Sequence, residues 1–337
     1  MDGIEYLWSG PVATRLSTTA LPAIVDWCRA RRVTRPMLVG GGSLTATPQA
    51  LALVHALEAA ELAVWCFDRA TTPSISVVAD AVASYHFENC DALIAIGSAV
   101  AMDVAKGAAL MAGQRSPYSA LACDPGGEGV PVDASALPPL LALPATPSAA
   151  MAVGGVVWIA DEMGAARPVR HPALRPGEAV LADDTVMSVP DDAHGRSSAL
   201  AALVAADAGC SDAAVAGLME PGVSAVTTMR RALVMASTIE GARAPRRRLA
   251  LTSSVIGGLD FGQTMLALLG QACWRTDAQA KLGGTPTDVS SLSADLIRST
   301  RGVCDTSDLI EVDRILDLLG VEQPGAPRRR GRRGRVV

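Results

Sequence analysis

The chain has 337 residues, of which 50% are hydrophobic, 3% aromatic and 19% charged, and its net charge is −5. This length allows two domains with a sizeable core, and the composition favours an α/β or all-α protein over a β-sandwich. Six arginines fall within residues 327–335, so without them the net charge of −5 becomes −11. An acidic body argues against nucleic-acid binding, and we expect the basic segment to be a solvated tail.

The cysteines and the apolar stretches favour a cytoplasmic protein. The seven cysteines are scattered without a Cys-x-x-Cys pair, which is typical of reduced, mostly buried thiols. The first residues lack a basic region followed by an apolar one, so we expect no signal peptide. Residues 134–160 carry no charge, but four prolines within them favour strands and a loop over a membrane span.

Strand and helix patterns alternate from the start of the chain. Helical spacing over residues 21–31 precedes a buried strand at 36–39, which runs into Gly40-Gly41-Gly42-Ser43. A helix over 51–62 and a strand at 63–67 follow. This βαβ unit predicts a parallel, doubly wound sheet with ligands at the carboxyl ends of its strands.

Residues 91–110 repeat this order around a candidate phosphate site. After a helix at 76–85, a buried strand at 92–96 leads through a turn of small residues into a helix that carries Asp103 and Lys106 one turn apart. Nucleotide-binding α/β domains place phosphate groups at such a helix start.

The remaining pattern divides the chain into two parts. We expect a loop over 114–137, a polar hairpin over 161–176, and strands at 140–144, 153–159 and 178–181. Past Pro190 the spacing predicts helices at 197–210, 213–219, 223–241, 249–274, 291–301 and 307–319. These patterns predict an α/β domain over 1–190, a helical domain over 191–322 and a disordered basic tail over 323–337.

Short motifs follow one another in a fixed order: Asp91-Ala92-Leu93-Ile94-Ala95-Ile96-Gly97 with Asp103-x-Ala105-Lys106, Leu143-Pro144-Ala145-Thr146, His171-Pro172-Ala173-Leu174, Ala179-Val180-Leu181-Ala182-Asp183 and Ser188-Val189-Pro190. Their order and spacing over residues 20–275 resemble the iron-containing alcohol dehydrogenase family of the dehydroquinate synthase-like superfamily. The resemblance implies an α/β domain with a parallel sheet, an all-helical second domain, and a small organic substrate in the cleft between them. It also implies a homodimer, with no nucleic-acid or membrane partner.

The phosphate turn departs from the family pattern, Gly-Gly-Gly-Ser-x-x-Asp-x-Ala-Lys. Gly97, Asp103 and Lys106 match it, whereas Ser98 and Ala99 replace glycines. Diphosphate binding is weakened by this change, because backbone amides approach phosphate best where no Cβ intervenes. Gly97 and Ser98 remain candidate cofactor-binding residues.

The second cofactor loop of the family, Thr-Thr-x-Gly-Thr-Gly-Ser-Glu, falls on residues 145–152. Only Thr146 and Ser148 keep a side chain for a ligand there, and Pro147 lacks a donor. Gly41 stands where an acidic residue for the adenosine ribose is expected, a change compatible with a 2′-phosphate. NAD(P) therefore stays open as a cofactor.

The metal site implied by the resemblance is lost. The family's Asp-x-x-x-His pair falls on Ser198 and Ala202, and its later histidines would lie near Gly270, yet the chain has no histidine after His194. We expect neither iron nor zinc. The remaining alternative is a carboxylate site built from Asp207, Glu240 and Asp260. Without a metal, the predicted substrate cleft is lined by Ser198, Ala202, Gln263 and Gly270.

Three side chains are candidates for catalysis without a metal: Lys106, Asp103 and His194. The structural alternatives are that Asp103 caps its helix, that Lys106 pairs with a neighbouring carboxylate, and that His194 is a surface residue.

Three functions remain open. The first is a repurposed, metal-independent small-molecule enzyme of a specialised biosynthetic pathway, without hydride transfer. The second is a metal-independent NAD(P)-dependent alcohol dehydrogenase or carbonyl reductase. The third is a noncatalytic relative that binds a ligand or a partner enzyme.

Overall fold

The computed structural model describes residues 6–9, 12–41, 44, 48–121, 130–160, 162, 166–189, 194, 197–198, 201, 205, 212–218, 220 and 222–241. Its strands are β1 (Tyr6–Ser9), β2 (Ala13–Ser17), β3 (Pro36–Val39), β4 (Trp65–Phe67), β5 (Ala92–Gly97), β6 (Leu140–Pro144), β7 (Val156–Ala160), β8 (Ala166–Arg170) and β9 (Glu178–Ala182). Its α-helices are α1 (Ala20–Arg31), α2 (Pro48–Ala59), α3 (Ile75–Phe87), α4 (Ala99–Gly113), α5 (Tyr118–Leu121), α6 (Pro147–Met151), α7 (Asp183–Met187), α8 (Asp212–Gly217) and α9 (Ala225–Gly241).

A seven-stranded sheet in the order β1-β2-β9-β6-β5-β3-β4 forms the centre of the described chain. Six of its strands are parallel, and β1 is antiparallel to β2. Strands β7 and β8 pair separately as an antiparallel hairpin. The predicted parallel sheet is confirmed. The first two strands, which the sequence patterns did not reveal, extend it beyond β9.

Helices cover both faces of the sheet, as the alternating side chains of its strands require. In β3, Met37 and Val39 join one apolar cluster and Leu38 joins the other. Because side chains alternate along a strand, each face contributes to a separate layer of core. This explains why β3, β6 and β9 are buried along their whole length and why β3 and β6 appear in the sequence as unbroken apolar runs.

Helix α4 lies in the interior, with every residue from Ala99 to Leu110 buried. It packs against α3, α6, β5 and β7, and its small side chains permit that close approach. A Cβ at Gly107 would lie 2.9 Å from Val78 Cγ2 and 3.0 Å from Ile159 Cδ1. Polar side chains on this helix therefore project into protein instead of water.

The start of α1 is held by a carboxylate from a distant part of the chain. Thr19 precedes the helix without a capping bond from its own side chain. Instead, the Ala20 amide donates to Asp184 Oδ1 at 3.1 Å and Oδ2 at 3.0 Å. Asp184 thus satisfies a free N–H group at the helix start and ties α1 to the segment after β9.

The helical pattern expected past Pro190 is confirmed over most of the described residues of that region, although residues 218, 220 and 222–224 are not helical. Residues 194, 197, 198, 201 and 205 are helical, and α8 and α9 follow. The helices expected over 249–274, 291–301 and 307–319 lie outside the described residues, and the domain boundary near 190 stays a prediction. None of the helices among the described residues has the length and apolarity needed to cross a bilayer.

Candidate functional site

The turn after β5 and the turn after β6 lie side by side, as expected for neighbouring parallel strands. Gly97 is in register with Pro144, and the Ala145 amide donates to the Gly97 carbonyl at 2.9 Å. Gly97 has φ of +104°, a conformation that favours glycine. The sheet therefore brings together four predicted cofactor-binding residues, which are Gly97, Ser98, Thr146 and Ser148.

Ser98 caps α4 with its own side chain. Its Oγ accepts a hydrogen bond from the Ala101 amide at 3.4 Å. The next two residues, Ala99 and Val100, are only 2% and 0% exposed. The Ala101 amide in the first turn of α4 is thus already hydrogen-bonded. The two preceding amides belong to Ala99 and Val100, which have almost no accessible surface. The expectation that Asp103 caps this helix is wrong, since Asp103 lies in its second turn.

Asp103 and Lys106 form an ion pair inside the protein, where each residue is 1% exposed. The Lys106 Nζ lies 3.4 Å from Asp103 Oδ1. The same ammonium donates to the carbonyls of Gly154, at 3.4 Å, and Val156. The two buried charges neutralise each other, and the bonds from Lys106 join α4 to the start of β7.

Three hydroxyl side chains form a buried cluster beside the second turn. Ser148 Oγ lies 2.7 Å from Ser197 Oγ and 3.4 Å from Thr146 Oγ1. Ser197 Oγ also accepts from the Ser148 amide at 3.1 Å. The residues are 2% (Ser197), 4% (Ser148) and 6% (Thr146) exposed. We call Thr146, Ser148 and Ser197 the hydroxyl cluster; it joins the sheet edge to the helical segment.

His194 is buried, at 7% exposure, and belongs to the same helical segment. Its Nε2 lies 2.8 Å from the Val186 carbonyl oxygen. Because a carbonyl only accepts, Nε2 carries the hydrogen of this bond, and in the neutral ring the lone pair is then on Nδ1. In the described part of the chain, Nδ1 has no hydrogen-bond partner. The expectation of a surface histidine is wrong.

Four of the five described residues from 194 to 205 lie on one helical face. His194, Ser197, Ala201 and Ala205 are all buried, with the spacing of a helix face, whereas Ser198 is partly exposed. Sequence reasoning selected Ser198 and missed Ser197; the three-residue spacing from His194 was the available signal. Three other residues of the predicted cleft, Ala202, Gln263 and Gly270, lie outside the described residues.

The two glycines after β3 differ in what surrounds them. A Cβ at Gly40 would lie 2.6 Å from Leu44 side-chain atoms, so packing explains that glycine. At Gly41 a Cβ would meet only the Ala70 carbonyl oxygen, at 3.9 Å. Packing of the described residues therefore does not require glycine at position 41.

Comparison with known proteins decides the family. The sequence profile of the iron-containing alcohol dehydrogenases matches residues 11–183. The chain belongs to the iron-containing alcohol dehydrogenase family. Over 145 residues it is 30% identical to a 4-hydroxybutyrate dehydrogenase of Cupriavidus necator, covering 42% of this chain and 37% of that one. The chain thus spans well under half the length of the curated relative it matches.

Solved structures share the fold. The iron-containing alcohol dehydrogenase from Thermococcus thioreducens superimposes with a TM-score of 0.62 at 15% identity, covering 94% of this chain and 86% of that one. The sulfoacetaldehyde reductase from Bifidobacterium kashiwanohense, solved in complex with NAD+, gives 0.61 at 18% identity, covering 95% of this chain and 100% of that one.

The diphosphate of a dinucleotide does not fit the two turns as they stand. The Ser98 side chain already accepts the hydrogen bond of the Ala101 amide at the start of α4, and Ala99 and Val100 are buried. In the second turn, Ala149 and Ala150 are completely buried within α6. A phosphate group needs approachable amides, and these residues have almost no accessible surface.

The donor set does not fit the family's metal either. A serine hydroxyl at Ser198 replaces a carboxylate, and no histidine follows His194. Among the described residues, no three His, Cys, Asp or Glu side chains gather into a group able to hold a metal ion. Asp207, Asp260 and the Glu240 side chain, the parts of the alternative carboxylate site, lie outside the described residues.

Proposed function

We propose that this protein is a metal-independent enzyme of a specialised biosynthetic pathway that acts on a small organic substrate by proton transfer, without moving a hydride. The observation that carries the proposal is the buried face of residues 194–205. It holds His194 and Ser197 in the segment where the resemblance places the first metal ligands. The His194 imidazole and the Ser197 hydroxyl stand in that segment instead of metal ligands, and such groups can donate and accept protons, which supports catalysis by proton transfer.

Each group in this face has a definite chemical capacity. With hydrogen on Nε2, the Nδ1 of His194 accepts a proton from an acidic C–H or O–H group of the substrate and returns it to another substrate atom. This sequence changes the position of a proton and leaves the oxidation state unchanged. The hydroxyl cluster supplies O–H donors and lone pairs that orient a polar substrate group.

A second candidate is a metal-independent NAD(P)-dependent reductase. Gly41 supports it, because the open space at that position is compatible with the 2′-phosphate of NADPH. Membership of a dehydrogenase family also supports it.

Calorimetric titration of the full chain with NADH and NADPH separates the two candidates. If the protein is the proton-transfer enzyme, we expect no saturable heat with either nucleotide. Saturable binding of either one would contradict it and favour the reductase. The double variant Ser98→Gly/Ala99→Gly is the matched control, because it restores the glycine turn; it should bind the nucleotide better than the natural chain if these side chains block the site.

Catalysis itself is tested with a mixed extract of low-molecular-mass metabolites. The natural protein and His194→Gln are incubated with the extract, and both samples are examined by mass spectrometry. The proposal predicts that at least one metabolite is converted to an isomer or dehydrated product by the natural protein only. If the two samples remain identical, the protein is noncatalytic and the proposal fails.

A further inference from the structure

The short helix α7 contacts both the start of α1 and the imidazole of His194. Its five residues, Asp183–Met187, are too few to form a stable helix by themselves, so its position depends on contacts with the rest of the protein. The Val186 side chain is completely buried in the apolar cluster on one face of the sheet. The polar contacts of the helix with α1 are made by Asp184.

Asp184 is bonded to the backbone on both sides of Thr19. Its own amide donates to the Thr18 carbonyl at 3.2 Å, and its carboxylate accepts from the Ala20 amide at 3.1 Å and 3.0 Å. The carboxylate stands at the positive end of the α1 dipole, which strengthens the second contact. Because one face of α1 is buried from Ala20 to Cys28, this helix gives α7 a firm support.

The same short helix provides the acceptor for His194. The Nε2 of His194 donates to the Val186 carbonyl oxygen at 2.8 Å, and Val186 lies two residues after Asp184. In the described part of the chain this is the single hydrogen bond of the ring, since Nδ1 has no partner. The orientation of the imidazole therefore depends on where α7 holds this carbonyl.

We infer that Asp184 is a positioning residue for His194. By fastening α7 to the start of α1, it fixes the Val186 carbonyl, which orients the imidazole and leaves Nδ1 for proton transfer. Asp184 acts through α7 and does not itself transfer a proton. The inference rests on the proposed function for the role of Nδ1 as a base, whereas the orientation of the ring is a property of the protein without substrate.

The proton on Nε2 provides the test, because a buried, hydrogen-bonded N–H group exchanges slowly with water. Its resonance in the proton NMR spectrum of the full chain is assigned by its absence from His194→Gln. Asp184→Ala should accelerate its exchange roughly tenfold, the factor that corresponds to the loss of a helix cap of about 1.4 kcal/mol. Asp184→Asn keeps an acceptor oxygen for the Ala20 amide and should restore the exchange rate to within about threefold of the natural chain.

Asp183→Ala is the matched control, because Asp183 lies in the same first turn of α7, whereas the Ala20 amide donates to Asp184. It should change the exchange rate by about twofold or less. Circular dichroism verifies that each variant folds. The inference is overturned if the natural chain lacks a resonance that His194→Gln removes, if Asp184→Ala exchanges as slowly as the natural chain, or if Asp183→Ala accelerates exchange equally. The measurement needs no substrate, so its outcome is separate from that of the metabolite experiment, which tests the proton-transfer reaction.

Discussion

Ser197 and Ser148 connect segments that lie far apart along the chain. The Ser197 hydroxyl accepts from the Ser148 amide and meets its side chain, with both residues buried. A buried amide that loses its acceptor has no water to replace it, so the cluster affects stability as well as binding. Because Ser197 follows His194 by three residues in the same helical segment, the hydroxyl cluster is the centre of the candidate site.

Ser197→Ala should therefore lower the free energy of unfolding by roughly 1–3 kcal/mol, because it leaves the Ser148 amide without an acceptor. Ser198→Ala, a partly exposed neighbour in the same helical segment, should change it by about 0.5 kcal/mol or less. Urea unfolding of the two variants measures this difference. Equal losses would show that the hydroxyl contact is not what matters.

A second prediction concerns the buried ion pair between Lys106 and Asp103. Lys106→Met removes the ammonium that neutralises Asp103 in the interior, and the expected loss of stability is about 3–5 kcal/mol. The double variant Lys106→Met/Asp103→Leu removes both charges and should recover much of that loss. Urea unfolding of the single and double variants completes the cycle; a double variant less stable than Lys106→Met would contradict the neutralisation.

At the scale of elements, helix starts at the sheet edge are satisfied by side chains. Ser98 caps α4, and Asp184, from the segment after β9, holds the first amide of α1. The first cap occupies part of the expected phosphate cradle. The second fixes the start of α1 against the segment after β9.

Asp184→Ala should destabilise the protein by about 0.5–2 kcal/mol, because the Ala20 amide loses its carboxylate. Asp183→Ala is the matched control, since both acids lie in the first turn of α7 and have the same relation to its dipole. The difference between the two thermal midpoints isolates the contact with α1. Identical midpoints would assign the effect to α7 alone.

At the scale of the whole molecule, burial of titratable groups predicts alkaline instability. Burial raises the pKa of Cys28 from 9.0 to about 12, that of Cys90 from 9.0 to about 11 and that of Tyr85 from 10.0 to about 12. The folded state keeps these protons where the unfolded state loses them. Their stabilising contribution is thus complete below about pH 9 and is lost as pH rises towards 12.

Urea midpoints measured between pH 8 and 11 should accordingly fall above about pH 9. Tyr85→Phe keeps the ring and removes the titrating hydroxyl, so its midpoint should fall less steeply above about pH 10 than that of the natural chain. Parallel curves for the two proteins would contradict the role of Tyr85.

The parts of the fold that sequence reasoning predicted are those whose pattern is local. Strands β3, β5 and β6 are continuous apolar runs because both faces of the sheet are covered. Strands β1 and β2 were missed because neither is an unbroken apolar run, β2 carrying Thr14 and Arg15, and because β2 is fixed by pairing with the remote β9. In the site, the family resemblance assigned Ser98 and Thr146 to two cofactor loops, whereas the Ser197 contact depends on how a helix packs against the sheet.

We expect the cleft to work without a metal, and the most direct test is the metal content of the full chain after equilibrium dialysis against Fe²⁺ and, separately, Zn²⁺. Elemental analysis of the dialysed protein should give well below one ion per chain, with the thermal midpoint unchanged. One tightly held ion per chain, with a raised midpoint, would contradict metal independence.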